Sequence, residues 1–211
     1  MAESPRPAIT VLAFGQVTTD STGNLVRRVG AIEQIDLRLE RDAAITAHVA
    51  EINRAIDAAS CDWVLIVRAH ESVGERLATE IAESISASPR AWGYRVRTQP
   101  MYCGAPLRLA ATSEGELRLL HRRHSRFLPG GECKVQGTVI RAGEPLFANS
   151  FATRAEHEGW LAANGTRRDL LGRISVFAVD ALRCGPFRAG ANGLRYLWMS
   201  AGWRRRGNSR Q

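Results

Sequence analysis

The side chains best suited to chemistry are those of Arg68, His70 and Glu71, which follow an apolar run from Trp63 to Val67. The run predicts a buried strand, and ligands of α/β proteins bind where such strands end. An arginine at that position can pair directly with phosphate. His70 and Glu71 can ligate a divalent metal such as Mg²⁺ or Mn²⁺, although two ligands beside an arginine make a poor metal site. The alternative is that Arg68 and Glu71 pair with each other.

A second group of candidates lies at the C-terminal end of the sequence. The net charge is +8, and the last 31 residues contain seven arginines and no acidic residue. Aromatic residues beside a cationic cluster predict a surface for an anionic membrane or for a partner protein; these residues are Trp198, Trp203, Arg204, Arg205 and Arg206. The alternative is a C-terminal helix docked by its aromatic side chains, followed by a basic tail. Nucleic acid is the least favoured partner, because aromatic residues are not interleaved through the basic runs.

Composition limits the class of protein. The chain has 211 residues, of which 45% are hydrophobic and 24% are charged, as in ordinary globular proteins. The sequence contains no apolar run long enough to span a membrane, and its N-terminus does not have the pattern of a signal peptide. We therefore expect a cytoplasmic protein, which could also associate with the inner face of the membrane. The four cysteines are far apart and form no C-x-x-C pair, which favours reduced thiols over a zinc site.

The N-terminal elements predict an α/β protein. Apolar runs, alternation and helical spacing indicate strands at 9–14, 32–39 and 63–67 and helices at 23–29 and 42–59. Because strands and helices alternate, we expect a mainly parallel sheet.

The later elements are shorter. We predict helices at 73–85, 156–163 and 170–182, strands at 92–98, 117–120 and 135–140, a break at 185–193 and an amphipathic piece at 194–203. The resulting division is an α/β domain over residues 1–182 and a basic, aromatic segment over 183–211, which packs on that domain or faces a membrane.

Several segments resemble motifs of one known family. Residues 61–71 resemble the metal-binding strand of family-2 glycosyltransferases, usually D-W-V-L-F-L-D-A-D-E. Five further segments resemble, in the same order, motifs of the bacterial branch that contains lipopolysaccharide core and cell-envelope sugar transferases; these are residues 19–22, 51–56, 92–96, 117–122 and 184–194. The resemblance implies a three-layer nucleotide-diphospho-sugar transferase-like (GT-A) fold, shortened at its N-terminus.

The resemblance also implies roles for single residues. The residues that would bind a nucleotide-sugar donor are Asp20, Asn53, Arg54, Arg68 and His70. The chain departs from the family at its carboxylates: the metal-binding D-x-D is replaced by 68–70, Arg-Ala-His, and the V-H-E that carries the presumed general base is replaced by 135–137, Val-Gln-Gly. In this setting Arg68 would replace the metal as the cation that faces the diphosphate.

A sugar transfer of this kind needs a base for the acceptor hydroxyl. The nearest candidates are His121, His124 and Glu132, so that the candidate catalytic residues are Arg68, His121 and Glu132. The histidines lie in the basic run 121–126, which is typical of a solvated face, and neighbouring positive charge lowers a histidine pKa.

Three interpretations therefore compete. The first is a glycosyltransferase-like protein that acts on a nucleotide sugar and a cell-envelope acceptor through an atypical or impaired site. The second is a non-catalytic pseudo-glycosyltransferase that acts as a binding or regulatory partner, because three carboxylate functions are missing together. A nucleic-acid-binding protein, suggested by the basic C-terminus, ranks last.

Overall fold

The computed structural model describes residues 8–15, 19–30, 32–37, 48–86, 91–107, 115–151, 153–167, 173–174, 177–178, 186–201 and 203–205. Contacts divide the chain into two compact units. The first comprises Met1–Thr98 and Ser113–Ala148, and the second comprises Gln99–Thr112 and Asn149–Gln211. In this division residues 99–107 group with the C-terminal part of the chain, and the domain boundary at residue 182 stays a prediction.

The elements follow one another in the order strand, helix, strand over the first third of the described chain. They are β1 (Ile9–Phe14), α1 (Thr19–Val29), β2 (Ile32–Leu37), α2 (Val49–Ala58), β3 (Trp63–Arg68), β4 (Glu71–Val73), α3 (Glu75–Ser86), β5 (Gly93–Val96), β6 (Thr98–Tyr102), β7 (Ala105–Pro106), β8 (Glu116–His121), β9 (Ser125–Phe127), β10 (Cys133–Val135), β11 (Val139–Arg141), β12 (Leu146–Phe151), α4 (Arg154–Asn164), β13 (Gly165–Arg167), α5 (Pro186–Ala201) and β14 (Trp203–Arg205).

The first unit contains a six-stranded sheet with the order β11-β5-β8-β3-β1-β2. The pairs β1–β2, β1–β3 and β5–β11 are parallel, whereas β8 is antiparallel to both of its neighbours. The sheet is therefore mixed: five of its six strands run in one direction, as the prediction of a mainly parallel sheet requires, and β8 departs from it. We call the end at which β1 and β3 finish and β8 begins the carboxyl edge, and the opposite end the amino edge.

Helices cover both faces of this sheet. Alternate residues of β3 belong to two different hydrophobic clusters: Leu65 packs in the cluster that contains Leu77 of α3, and Ile66 packs in the cluster that contains Ile52 of α2. Both faces of the strand are thus buried, which explains its uninterrupted apolar sequence. The first unit therefore has helices on both sides of its sheet, which is compatible with the three-layer fold that the resemblance implies.

Two predicted elements of the first unit differ from the structure. The predicted helix at 73–85 begins only at Glu75, because Val73 ends β4 and pairs with Leu146 of β12. The predicted strand at 135–140 is interrupted at Gly137, whose φ is +130° and whose Cβ position lies 2.4 Å from the ring of Trp92. A residue with a side chain would clash there, so the chain turns at this glycine.

The second unit is held by a small buried cluster that consists of Tyr102, Leu107, Leu161 and Met199. The break predicted at 185–193 is wrong, because α5 runs from Pro186 to Ala201. Proline is tolerated in the first turn of a helix, where its missing N–H is not needed.

Other boundaries shift by a few residues. The described part of the predicted helix at 42–59 begins at Val49, and most of the predicted helix at 170–182 lies outside the described residues. None of the helices in the described ranges combines the length and apolarity that crossing a bilayer requires.

Candidate functional site

The antiparallel direction of β8 brings charged residues to the carboxyl edge. Leu65 of β3 lies opposite Leu119 of β8, and continuing this register places the first residues of β8 beside the last residues of β3. Glu116 and Arg118, at alternate positions of β8, therefore lie next to Arg68. Together with Glu71 of β4, these side chains form what we call the edge cluster: Arg68, Glu71, Glu116 and Arg118.

Glu71 is buried at the centre of the edge cluster, with 1% of its side chain exposed. Its Oε1 atom accepts a hydrogen bond from Nη2 of Arg118 at 2.9 Å, and its Oε2 atom accepts one from the backbone N–H of Arg68 at 2.9 Å. A buried carboxylate needs such partners because it has lost its hydration. The alternative pairing of Arg68 with Glu71 thus exists through the backbone of Arg68, and not through its guanidinium.

Arg118 is fully buried and lies between two carboxylates. Its Nη2 atom is 2.9 Å from Glu71 Oε1 and 2.9 Å from Glu116 Oε2. Burial lowers the pKa of the Arg118 guanidinium, while the charges of Glu71 and Glu116 raise it. Its Nε and Nη1 atoms are buried and have no hydrogen-bond partner among the described residues. The position of this arginine is therefore fixed by the two carboxylates.

Arg68 is the member of the edge cluster that combines a positive charge with exposure. Its side chain is 26% exposed, and its Nη2 atom lies 3.3 Å from Glu116 Oε2. This is the one contact of the guanidinium with a described side chain, and it leaves most of the five N–H donors for a ligand. The same Glu116 oxygen contacts Arg118, so the position of Arg68 is coupled to the buried ion pair.

The residues at this edge do not fit a bound metal. His70 is half-buried in the turn between β3 and β4, but both carboxylate oxygens of Glu71 already accept hydrogen bonds. A cation at Glu71 would have to displace Arg118. Within the described part of the chain, no group of three or more histidine, cysteine, aspartate or glutamate residues is placed to hold a metal ion.

His121 lies far from Arg68. It pairs with Trp63 at the amino edge, so five residues of β3, about 16 Å, separate it from Arg68. Its ring makes edge contacts with Trp63 and Trp92, with centroids 5.2 and 4.8 Å away. Burial lowers the pKa of His121. The geometry therefore gives this histidine a packing role and does not bring it to the edge cluster.

Two other predicted site residues have different surroundings. Asn53 is buried in α2 and clamps β9, because its amide donates to the backbone C=O of Phe127 at 2.8 Å and accepts from the N–H of Phe127 at 3.0 Å. Arg54 is exposed on the same helix. These contacts give Asn53 a structural role, and donor binding by either residue stays a prediction.

The predicted general-base region lies at the amino edge. Glu132 is exposed in the turn between β9 and β10. Gln136 donates its backbone N–H to the carbonyl of His124 at 2.7 Å, and Gly137 lies against Trp92. The segment that replaces V-H-E is therefore at the opposite end of the sheet from Arg68. The side chain of Asp20, a predicted donor ligand in α1, lies outside the described residues.

The C-terminal candidates lie in the second unit. The ring of Trp198 is covered by the guanidinium of Arg173, 4.0 Å from the ring centroid, and by an edge contact with Phe177 at 5.3 Å. This geometry favours a helix that docks by its aromatic side chains. Of the remaining candidates, Arg206 lies outside the described residues. Trp203, Arg204 and Arg205 form β14, but their side chains are not among the described ones.

The structure adds two charged residues to the candidate site that the sequence did not predict, Glu116 and Arg118. The segment 117–120, Leu-Arg-Leu-Leu, predicts a strand, but its pattern does not indicate what the charged residues at 116 and 118 contact. The sequence does contain a signal for them, because Glu116 and Arg118 occupy alternate positions of a strand. A charged residue within a buried strand requires a partner of opposite charge.

Comparison with known proteins gives little support for a family. No protein-family model matches the sequence, and no curated protein sequence matches it. Among solved structures, the chain is similar to the mannosyltransferase PcManGT from Pyrobaculum calidifontis in complex with GDP-Man and Mn2+, with 14% identity and a TM-score of 0.36 over 95% of this chain and 70% of that chain. This likeness is weak, and neither a shared family nor a shared ligand follows from it.

Proposed function

We propose that this chain is a glycosyltransferase-like protein that binds the diphosphate of a nucleotide sugar at the edge cluster through Arg68. The observation that carries the proposal is the position of Arg68. Its guanidinium is partly exposed at the carboxyl edge of a mainly parallel sheet, where ligands of α/β proteins bind. The ordered sequence resemblance to family-2 glycosyltransferases supplies the ligand class.

The charges around Arg68 suit an anionic ligand. The buried pair of Glu71 and Arg118 is neutral as a pair, and Glu116 lies between the two arginines. Glu116 is half-exposed, so its contact with Arg68 is worth little energy. A diphosphate would replace Glu116 as the partner of Arg68, and bidentate contacts to phosphate would have to outweigh its repulsion from the Glu116 carboxylate, which Arg118 holds nearby.

Transfer of the sugar is the part of the proposal with least support in the geometry. Both carboxylates at this edge, Glu71 and Glu116, already contact Arg118 at 2.9 Å, so neither is free to face an acceptor hydroxyl. His121 and Glu132, the other candidate bases, are not in the edge cluster. We therefore favour an impaired site over an efficient enzyme, with a cell-envelope acceptor as the family resemblance implies.

A non-catalytic binding or regulatory partner is the second candidate, and the same pairing of Glu71 and Glu116 with arginines favours it. A location at the inner face of the membrane, through the basic C-terminal segment, also remains a proposal. Nucleic-acid binding ranks last, because it rests on charge alone.

Thermal shift and calorimetric titration with uridine, guanosine and thymidine diphosphate sugars, with and without Mn²⁺, test the proposal. We expect one of these ligands to raise the melting temperature without metal, since a ligand at 100 times its Kd stabilises a protein by about 2.7 kcal/mol. Arg68→Gln should abolish the shift, and Arg76→Gln, an exposed arginine on α3, should leave it unchanged. No shift with any ligand, or an equal loss in both variants, contradicts the proposal.

Release of sugar from the bound nucleotide separates the two candidates. An impaired enzyme should show slow hydrolysis or transfer that Arg68→Gln removes. Binding without turnover in the presence of membrane extracts as acceptors favours the non-catalytic partner.

A further inference from the structure

A second charged site lies at the amino edge of the first unit, around the hairpin of β9 and β10. A cavity of about 410 Å³ opens there, a volume within the range of small-ligand sites. Four cationic side chains line it and face a single lining carboxylate, that of Asp57; the cations are Arg122, Arg123, Arg126 and Lys134. We call this cavity the hairpin pocket.

The hairpin places two of these cations side by side. Arg126 of β9 and Lys134 of β10 are direct partners in the antiparallel register. Side chains in such positions lie about 5 Å apart, and like charges directly opposite each other are destabilising. Lys134 makes no ion pair with any described residue, and Arg126 reaches Asp57 only at 3.5 Å, with both side chains more than half exposed. An anion between the two cations would relieve this repulsion.

The other two cations are held in place by the body of the unit. Arg122 donates from Nη1 to the carbonyl of Ala59 at 2.6 Å and lies 3.4 Å from Asp62. Arg123 lies 3.2 Å from the same Asp62 oxygen. Because one carboxylate serves two arginines, the wall of the pocket keeps an excess of positive charge. Arginines that are fixed before binding lose little entropy on contact with a ligand.

Ser125 and His124 are further residues of the same wall. Ser125 is 7% exposed and lines the pocket, and its Oγ atom has no hydrogen-bond partner among the described residues. Its neighbour His124 also lines the pocket and stacks on Trp92, with ring centroids 4.2 Å apart. Ser125 lies on the buried face of β9 and Arg126 on its exposed face, so the contacts that the pocket offers to a ligand come from its cations.

We propose that the hairpin pocket binds a phosphate-bearing anion. Several cations around one small cavity match the multiple charges of a diphosphate or a phosphate monoester better than the single charge of a carboxylate. The same chemistry is offered by a free phosphorylated metabolite and by an anionic lipid headgroup. The site is separate from the edge cluster and does not require Arg68.

The first experiment titrates the ¹⁵N-labelled full chain with inorganic pyrophosphate. We expect amide signals of Ser125, Arg126 and Lys134 to shift together, and the apparent Kd to rise with salt because the charges are exposed. In a second arm, vesicles of phosphatidic acid are compared with vesicles of phosphatidylcholine by co-sedimentation. Binding of pyrophosphate indicates a free ligand, binding of phosphatidic acid alone indicates a lipid headgroup, and binding of neither overturns the proposal.

Charge variants give the sharper test. Arg126→Gln with Lys134→Gln should raise the Kd by roughly 10-fold or more, whereas Asp57→Asn should lower it by about 3-fold, because the carboxylate repels the anion. Lys134→Glu should abolish binding without lowering the melting temperature, since it forms an opposite-charge pair with Arg126. Arg76→Gln is the matched control. Weaker binding in Asp57→Asn, or the same Kd in wild type and Lys134→Glu, would refute the site.

Discussion

Replacing Arg118 by methionine tests whether the edge cluster rests on a buried ion pair. The substitution keeps most of the side-chain volume but removes the charge that faces Glu71, whose carboxylate is 1% exposed. Glu71 would keep only the hydrogen bond from the Arg68 backbone. Breaking a buried pair by removal of one partner costs about 3–5 kcal/mol. The loss of the Glu116 contact adds little, because Glu116 is half-exposed.

The reverse substitution and the double variant complete a thermodynamic cycle. Glu71→Leu alone leaves the Arg118 guanidinium buried with only the half-exposed Glu116 as a partner, so we again expect a loss of about 3–5 kcal/mol. Glu71→Leu with Arg118→Met removes both charges, and apolar replacement of a buried pair is often neutral. The double variant should therefore be more stable than Arg118→Met alone.

Urea unfolding followed by circular dichroism and tryptophan fluorescence measures these changes. The midpoint should fall in the single variants with an unchanged m-value. Two results would refute the reasoning: a loss below about 1 kcal/mol in Arg118→Met, or a double variant that loses at least as much as the two single changes together. The first would mean that Glu71 is hydrated, and the second that the two residues do not interact.

Three further predictions concern the first unit. Asn53→Ala removes two hydrogen bonds to the backbone of Phe127 and should cost about 2–3 kcal/mol in urea unfolding, because both backbone groups stay buried. Burial lowers the pKa of His121, so the imidazole takes up its proton at a higher pH in the unfolded chain than in the folded one. The free energy of unfolding should therefore fall as the pH drops below about 6.5. His121→Phe should weaken this pH dependence. Gly137→Ala should destabilise the unit by about 1–3 kcal/mol, because φ is +130° and the new Cβ meets Trp92.

Matched controls separate these effects from general damage. Arg54→Ala, on the exposed face of α2, should change stability by less than about 0.5 kcal/mol. Gly130→Ala should be tolerated, because no atom lies within 4 Å of its Cβ position. Burial also lowers the pKa of His157. Because the wild type and His121→Phe both contain His157, its contribution to the pH dependence cancels when the two proteins are compared. Equal losses in a variant and its control, or a pH dependence identical in His121→Phe and wild type, would contradict the corresponding prediction.

Strand β3 could be predicted from the sequence because a strand that is buried on both faces is apolar at every position. Trp63 to Val67 is apolar at every position, and the structure buries alternate residues in two clusters. The mainly parallel sheet followed from the alternation of helices and strands. What the local pattern does not contain is the strand order, and therefore the position of β8 beside β3.

The partners of the edge cluster depend on that strand order. Glu71 and Arg118 are 47 residues apart, and they meet only because β8 is antiparallel to β3 and lies next to it. From the sequence alone the nearest candidate partner of Glu71 is Arg68, three residues before it. The segment 185–193 shows the opposite difficulty: its glycines and Pro186 indicate a break, but α5 runs from Pro186 to Ala201.

The edge cluster and the hairpin pocket should bind their ligands independently, because they lie at opposite ends of β3 and β8. Arg68 lies at the carboxyl end of β3, whereas the hairpin pocket follows the end of β8 at the amino edge. The separation along β3 is about 16 Å, roughly twice the distance over which physiological salt screens exposed charges. Arg68→Gln should therefore leave the pyrophosphate Kd of the hairpin pocket unchanged, and Lys134→Glu should leave nucleotide-sugar binding unchanged. If either variant alters the other site more than about 2-fold, the two sites are coupled through the sheet, and a single extended anion site becomes the better description.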